Sequence, residues 1–281
     1  MKPKFDSNAY KKRMIGVWNE VAPRYHKRFA RKDTGPFRSS AKLVQLAKIK
    51  QGDDVLDIAC GTGAVTKKIL KMIGRTGTVI GTDVSFNAIK IAKKWNRISH
   101  NLDFLVADAE NLSFENKFDA ITCQYGIFFF PNALQVLKNL KKILKKNGTI
   151  AISVHGKGDS VPFFSVILDS VKKFIPDFIP PGTPDFDRFG NKQALKKLVS
   201  AAKYKKIKVT EFVFSYKQYS FSNYWCNYLR YVAKPARVKL ETLSKAELLQ
   251  VRGLAKLKAK PYMKNGLIVF PWKVLILTAS K

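Results

Sequence analysis

The chain has 281 residues, 46% hydrophobic and 26% charged, a balance that excludes wholesale disorder, and no apolar run approaches the roughly 20 residues of a membrane-crossing helix. Its first residues, MKPKFDSNAYKKRM, lack the apolar centre of a secretory signal, and Cys60, Cys123 and Cys226 are too few and scattered for a disulfide framework or a Cys-x-x-Cys zinc site, so a soluble protein of a reducing, cytoplasmic compartment with no bound metal is expected. The outlier is charge: 52 Lys and Arg against 20 Asp and Glu give +32, of which residues 1–50 carry +11, 51–155 only +5 and 156–281 +16. Such an excess favours polyanions or anionic membrane surfaces as neighbours; a host whose proteins are all basic gives the same balance.

Residues 1–50 are helical in pattern, with Trp18, Val21, Tyr25 and Phe29 roughly on one stripe. Residues 51–155 alternate strand-like and helix-like segments, which predicts an α/β unit with a parallel sheet. Asp54–Ala59 is the first strand and runs straight into Cys60-Gly61-Thr62-Gly63, followed by a helix over Ala64–Ile73. Thr78–Asp83 reads as the second strand, Phe86–Trp95 as a helix, and Asp103–Ala107 and Phe118–Gln124 as the third and fourth strands. A helix over Pro131–Lys146 stops at Asn147-Gly148, and Thr149–His155 is the fifth strand. Residues 156–189, rich in proline and aromatics, read as an irregular cover. A basic helix from Lys192, a strand over Ile207–Phe214, helical stretches over about 221–260 and a last strand over Leu267–Leu277 complete the chain. The expected organisation is an N-terminal helical lid (1–50), a ligand-binding core (51–155), and cap insertions with closing strands (156–281). The fold class is α/β: a Rossmann-like, seven-stranded, mostly parallel sheet with helices on both faces.

The informative string is Val55-Leu56-Asp57-Ile58-Ala59-Cys60-Gly61-Thr62-Gly63. A glycine-rich turn between a parallel strand and a helix lets a ligand approach backbone N–H groups. The dinucleotide fingerprint fails, because Thr66 stands where its third glycine belongs, and no Gly-Lys-Ser/Thr follows for a phosphate loop. Asp57, inside the strand before the turn, repels a pyrophosphate but attracts a cationic amino-acid group. Asp83 ends the next strand 20 residues after Gly63, the spacing of a carboxylate that accepts both ribose hydroxyls. Asp108-Ala109-Glu110 follows the third strand, where an acid can accept from an adenine amino group. Three successive strand ends thus offer groups for a positive amino acid, a ribose and an adenine, which together describe S-adenosylmethionine (SAM).

VLDIACGTG, GTDVSFNAIKIAKK, VADAENLSF, KFDAITCQYGIFFFPN and LKKILKKNGTIAIS resemble successive motifs of class I SAM-dependent methyltransferases. They are most similar to the group holding the ubiquinone/menaquinone C-methyltransferases and the type 11 small-molecule enzymes. Ala59 replaces the first glycine of the commoner D-x-G-x-G-x-G form, as in the quinone enzymes of that group. The resemblance implies that Asp57, Ala59, Gly61 and Gly63 surround the methionine moiety, with Asp83 and the adjoining Val84 at the ribose. It implies Asp108 and Ala109 at the adenine, Gln124 beneath the sulfonium and Tyr25 on a lid.

For the methyl acceptor, a phenol, enol or hydroquinone gains from a base that removes its proton. His155 at the end of the fifth strand, His26 in the lid and Tyr125 are the candidates; His100 lies at the opposite sheet edge. Phe128-Phe129-Phe130-Pro131, Pro162-Phe163-Phe164, Phe174–Pro181 and Phe270-Pro271-Trp272 promise an apolar lining suited to a hydrophobic or aromatic small molecule, or ordinary core. For a prenylated quinone precursor the basic flanks become a peripheral contact with anionic lipid. The rival acceptor is RNA or DNA, although no Asn/Asp-Pro-Pro-Tyr or Pro-Cys motif follows the fourth strand; Lys203–Tyr219 alternates lysines with aromatics. A SAM-binding protein that transfers nothing is the third reading.

Overall fold

The computed structural model describes residues 5–96, 99–176, 183–231 and 238–281. All seven expected strands form: β1 (Asp54–Ile58), β2 (Thr78–Asp83), β3 (Leu102–Val106), β4 (Phe118–Gln124), β5 (Leu144–His155), β6 (Lys205–Gln218) and β8 (Leu267–Ser280). A two-residue strand, β7 (Met263–Lys264), precedes the last. They build one sheet in the order β3-β2-β1-β4-β5-β8-β6, with β7 pairing to β8 off that path. The first five strands pair in parallel, whereas β8 runs antiparallel to both β5 and β6.

Alternation along the buried strands divides two cores. Val55, Val79, Phe104, Ala120 and Ala151 join the helices α2 (Ser40–Leu46), α3 (Ala64–Ile73) and α4 (Phe86–Asn96) in one cluster. Leu56, Ile58, Ile121, Ile150 and Ile152 join α5 (Ala133–Ile143) and α7 (Lys192–Ala201) in the other. Residues one apart point to opposite faces, so a near-continuous apolar strand can feed both layers. The chain winds outward from β1 to β3, then returns to start β4 on the other side of β1. That reversal leaves a crevice at the carboxyl ends of β1 and β4, the place where such sheets take ligands.

Three elements differ from expectation. The proline-aromatic stretch contains a regular helix, α6 (Pro162–Phe174): Pro162 occupies its first turn, and Phe163, Val166, Ile167 and Val171 are buried on one side. The expected cover over Phe174–Pro181 lies partly outside the described residues. β5 starts at Leu144 rather than Thr149, because Leu144 pairs with Phe118 ahead of a register shift; α5 correspondingly ends at Ile143. β6 extends well past Ile207–Phe214. It is the sheet edge, where the exposed Lys205, Lys206, Lys208 and Lys217 discourage pairing with another chain.

Among the described residues, further helices are α1 (Ser7–Arg28), α8 (Phe221–Tyr231) and α9 (Lys245–Ala259). Asp6 caps α1, its carboxylate accepting from the Asn8 and Ala9 amides, and the helix ends with Lys27 and Arg28, cations placed where the helix dipole favours them.

Candidate active site beneath the N-terminal helix

The turn between β1 and α3 has Ala59, Gly61 and Gly63 in the left-handed region, at φ of 52°, 57° and 81°. For alanine that conformation costs about 1 kcal/mol. The two glycines do different work. A Cβ on Gly61 meets nothing within 4 Å, whereas one on Gly63 lies 2.5 Å from Asn96 Nδ2 and 2.9 Å from Phe104 Cζ. Gly61 faces the crevice; Gly63 faces packed side chains and is not among the crevice-lining residues. A Cβ on Gly126 falls 2.5 Å from the Ala59 Cβ, so the loops after β1 and β4 meet with no room for a side chain on Gly126.

Three carboxylates stand around this turn. Asp57, 1% exposed, accepts from Thr66 Oγ1 at 2.6 Å and Thr122 Oγ1 at 2.7 Å. Burial pushes its carboxyl up to about 6, the two hydroxyls pulling the other way. Asp83 accepts from the amides of Gly61 and Ser85, both at 2.9 Å; burial raises it too, against those backbone bonds. Asp83 therefore braces the glycine turn while lining the crevice beside Val84. Asp108 caps a short turn through the Glu110 amide at 3.0 Å, with Ala109 beside it on the wall. Gln124 donates from Nε2 to Ser40 Oγ at 3.0 Å, leaving its buried Oε1 without a partner among the described residues.

α1 roofs the crevice. Tyr10, Met14, Trp18, Ala22 and Tyr25 recur at helical spacing on the roofing face. At one end, Lys11 Nζ lies 2.8 Å from Asp108 Oδ2 and 2.6 Å from Glu110 Oε2. In the middle, Asn19 Oδ1 accepts from Ser85 Oγ at 2.9 Å and the Asn87 amide at 3.1 Å. The Asn19 backbone carbonyl accepts from Asn87 Nδ2 at 2.9 Å. That carbonyl is free because Pro23, four residues on and inside the helix, has no N–H to donate. Toward the other end, His26 Nδ1 meets Thr62 Oγ1 of the glycine turn at 2.9 Å, with its ring edge-on to Trp95. His26 does not line the crevice; burial and Arg31 lower its pKa. Tyr25 does, packed on Trp18, Phe29 and Phe37.

His155 lies behind the wall. It stacks on Tyr125 at 4.1 Å between ring centroids, packs against Phe128, Phe164 and Phe186, and accepts from Trp272 Nε1 at Nδ1, 3.2 Å away. An indole N–H only donates, so this geometry assigns the imidazole proton to Nε2. Burial drops the His155 pKa to about 3, and the ring is neutral. Tyr125, at φ 57°, lines the crevice. Ser39 Oγ donates to the Pro36 carbonyl at 2.9 Å, so the 2.8 Å contact between Ser39 Oγ and the Tyr125 hydroxyl is donated by Tyr125. Burial raises that phenol's pKa. The aromatics divide: Phe129 and Phe130, with Pro131, line the crevice, whereas Phe128, Phe163, Phe270 and Trp272 are buried core.

Of the sequence-derived positions, Tyr25, Asp57, Ala59, Gly61, Asp83, Val84, Asp108, Ala109, Gln124 and Tyr125 converge on one crevice; Gly63, His26 and His155 flank it. Lys11, Asn19, Asn87 and the two threonine hydroxyls were not foreseen. A proline inside a helical stripe was the available signal for Asn19, since it frees the carbonyl four residues earlier. Chemically, acids at three strand ends with one unpaired amide oxygen suit a ligand carrying an ammonium, a vicinal diol and an exocyclic amine. The open space over Gly61 admits it.

Known proteins resemble this chain over much of its length. The profile of the ubiE/COQ5 methyltransferase family matches residues 8–178. A demethylmenaquinone methyltransferase of Staphylococcus saprophyticus is 31% identical over 183 residues, 61% of this chain and 78% of that protein. Among solved structures, the YcgJ protein of Bacillus subtilis superposes with a TM-score of 0.55 at 18% identity, over 87% of this chain and 98% of that one. Phosphoethanolamine N-methyltransferase 2 of Haemonchus contortus, in complex with SAM, gives 0.54 at 17%, over 87% of this chain and 52% of its own; both show the fold. With the family profile running from the roofing helix through the glycine turn and the strand-end acids, this chain belongs to the ubiE/COQ5 methyltransferase family and is a SAM-dependent methyltransferase.

Proposed function

We propose that this enzyme methylates a ring carbon of a small, apolar hydroquinone precursor of the demethylmenaquinone type. The observation that carries the reading is the crevice beside the acids: Trp18, Phe37, Phe129 and Phe130 make an aromatic wall, and no histidine lines it among the described residues. Flat, apolar walls with few polar groups suit an aromatic acceptor. SAM, when bound, supplies an electrophilic methyl group on a sulfonium.

The residues' parts follow from their surroundings. Asp57 takes the cationic amino group, Asp83 the ribose hydroxyls, and Asp108 with Ala109 the adenine edge. Gln124 Oε1 is an acceptor for a donor group at the floor. Lys11, Asn19 and His26 hold α1 over the cleft and keep water out of it. Tyr125 touches the crevice as a protonated phenol, a hydrogen-bonding group rather than a base. His155 positions Tyr125 from behind, with Trp272 holding its ring in one tautomer. The basic surface makes peripheral contact with anionic lipid, where an isoprenoid acceptor partitions.

Purified enzyme with methyl-labelled SAM and a host extract split into lipid, small polar and nucleic-acid fractions tests this. The label is expected in the lipid fraction. Label in nucleic acid overturns the reading and makes the +32 charge the acceptor surface.

A further inference from the structure

The most exposed large apolar side chains among the described residues are Tyr219, Leu249 and Leu257, at 79%, 69% and 64%, and all three belong to the cap built after β6. Leu249 and Leu257 sit two helical turns apart on the face of α9 opposite the buried Val251, Ala255 and Ala259. Next to them, Phe221 and Ile268 floor an open groove walled by Leu249 and Met263, with Arg252 and Lys256 on its rim. Met263 and Lys264 are held outward by a hairpin whose Asn265-Gly266 tip has φ of 47° and 75°, the pattern of a tight type I′ turn. This part of the chain is strongly one-signed. Residues 245–264 hold six Lys and Arg against the single acid Glu247, whose carboxylate is tied to Ser244 in a capping box.

Exposed leucines standing among lysines on a short helix are poorly matched to water. They match an anionic bilayer surface, where the apolar side chains enter the headgroup–acyl boundary and the lysines meet phosphate. We propose that the outer face of α9 and the β7–β8 hairpin is a membrane-docking surface for anionic phospholipid. Leu249, Leu257 and Met263 insert, and Arg252, Lys256 and Lys260 contact the headgroups. Arg252 keeps one bond to Ser222 Oγ at 2.9 Å and has donors left for a phosphate. α8 adjoins this face and contacts the roofing helix α1, so the docked surface is continuous with the crevice's roof. The assignment rests on the peripheral lipid contact proposed above and names its surface; it does not depend on the hydroquinone acceptor, which its test does not use.

The experiment is flotation of the full chain with phosphatidylcholine vesicles and with vesicles containing phosphatidylglycerol. Wild type is expected to float with the anionic vesicles alone. Leu249→Ser/Leu257→Ser and Lys256→Glu/Lys260→Glu are each expected to bind them about tenfold more weakly. Lys196→Glu/Lys197→Glu, the same charge change on the exposed side of α7, is expected to bind as wild type does. SAM affinity by calorimetry should match in every variant, which establishes that each one folds. Equal loss in the α7 variant would overturn the proposal in favour of a diffuse charge effect, as would absence of vesicle binding in wild type. It would also be overturned if the α9 variants kept vesicle binding and instead lost RNA binding, or self-association in sedimentation.

Discussion

Asn87 donates its side-chain amide to the backbone carbonyl of Asn19 at 2.9 Å, the one carbonyl in α1 that Pro23 leaves without a helical partner. A residue that interrupts the helix's own ladder thus creates the socket by which the helix is fastened to α4. The same Asn19 closes over Ser85, next to the Asp83 carboxylate.

Removing that fastening loosens the roof without touching the carboxylates. Asn87→Ala is expected to weaken SAM binding by about 1–2 kcal/mol, the worth of a buried hydrogen bond lost with its partner left unpaired. Hydrogen exchange should show faster opening of residues 7–28 with the sheet unchanged. Unaltered exchange in α1 would mean that the lid is held elsewhere.

The glycines separate stability from ligand binding. Gly63→Ala forces a Cβ into Asn96 and Phe104 at φ 81°, and a loss of roughly 1–3 kcal/mol of folding stability is expected. Gly61→Ala has open space at φ 57°; its greater effect should be on SAM affinity, since the added methyl stands where the ligand approaches. Thermal denaturation and calorimetry on the pair decide it, and a larger affinity loss for Gly63→Ala would invert the assignment.

Asp57 gives a pH dependence of definite sign. Its carboxyl, raised by burial to about 6 from 3.8, stabilises the ligand-free fold fully below its unfolded value. That contribution is lost as pH rises through about 6. Pairing with an ammonium needs the ionised form, so SAM affinity should fall by up to about tenfold per unit as pH drops below about 6. Asp57→Asn should bind weakly with a flat profile over the same range. A wild-type affinity that does not change between about pH 5 and 7 would remove Asp57 from the ammonium site.

His155 is the clearest case against reading a base from position alone. Its Nδ1 is occupied by the Trp272 indole at 3.2 Å and its pKa lies near 3, so it holds no exchangeable charge near neutrality. His155→Asn should lower stability by about 1–3 kcal/mol and reduce turnover through Tyr125, without moving any limb of the pH–rate profile. A profile that loses its acidic limb in this variant would restore the base.

The crevice was legible because its chemistry is local. Asp57 and Asp83 lie in the last residues of strands, and Gly61 and Asp108 just past them; the strands' apolar runs announce themselves, and parallel winding brings consecutive strand ends together. What sequence could not show depended on which way a residue faces across the fold. Gly61 and Gly63 look alike in the string, yet one borders ligand space and the other Phe104. Thr66, noticed only as a missing glycine, turned out to donate to Asp57. α6 is hidden by Pro162 and by the aromatics and prolines around it, which read as irregular until Pro162 is seen to begin a helix rather than break one. The aromatic-lysine alternation of Lys203–Tyr219 resolves into a sheet edge, with Phe214 stacked on Trp272 and Tyr216 set against it.

The most direct test of the central claim is the position of the transferred methyl. A short-chain demethylated naphthohydroquinone would be incubated with the enzyme and SAM labelled with carbon-13 in the methyl group, and the product read by NMR. The account predicts a single new methyl on a ring carbon, dependent on the reduced acceptor and lost in Asp83→Ala. A methyl on oxygen, or no transfer to this acceptor from enzyme that binds SAM, would contradict it.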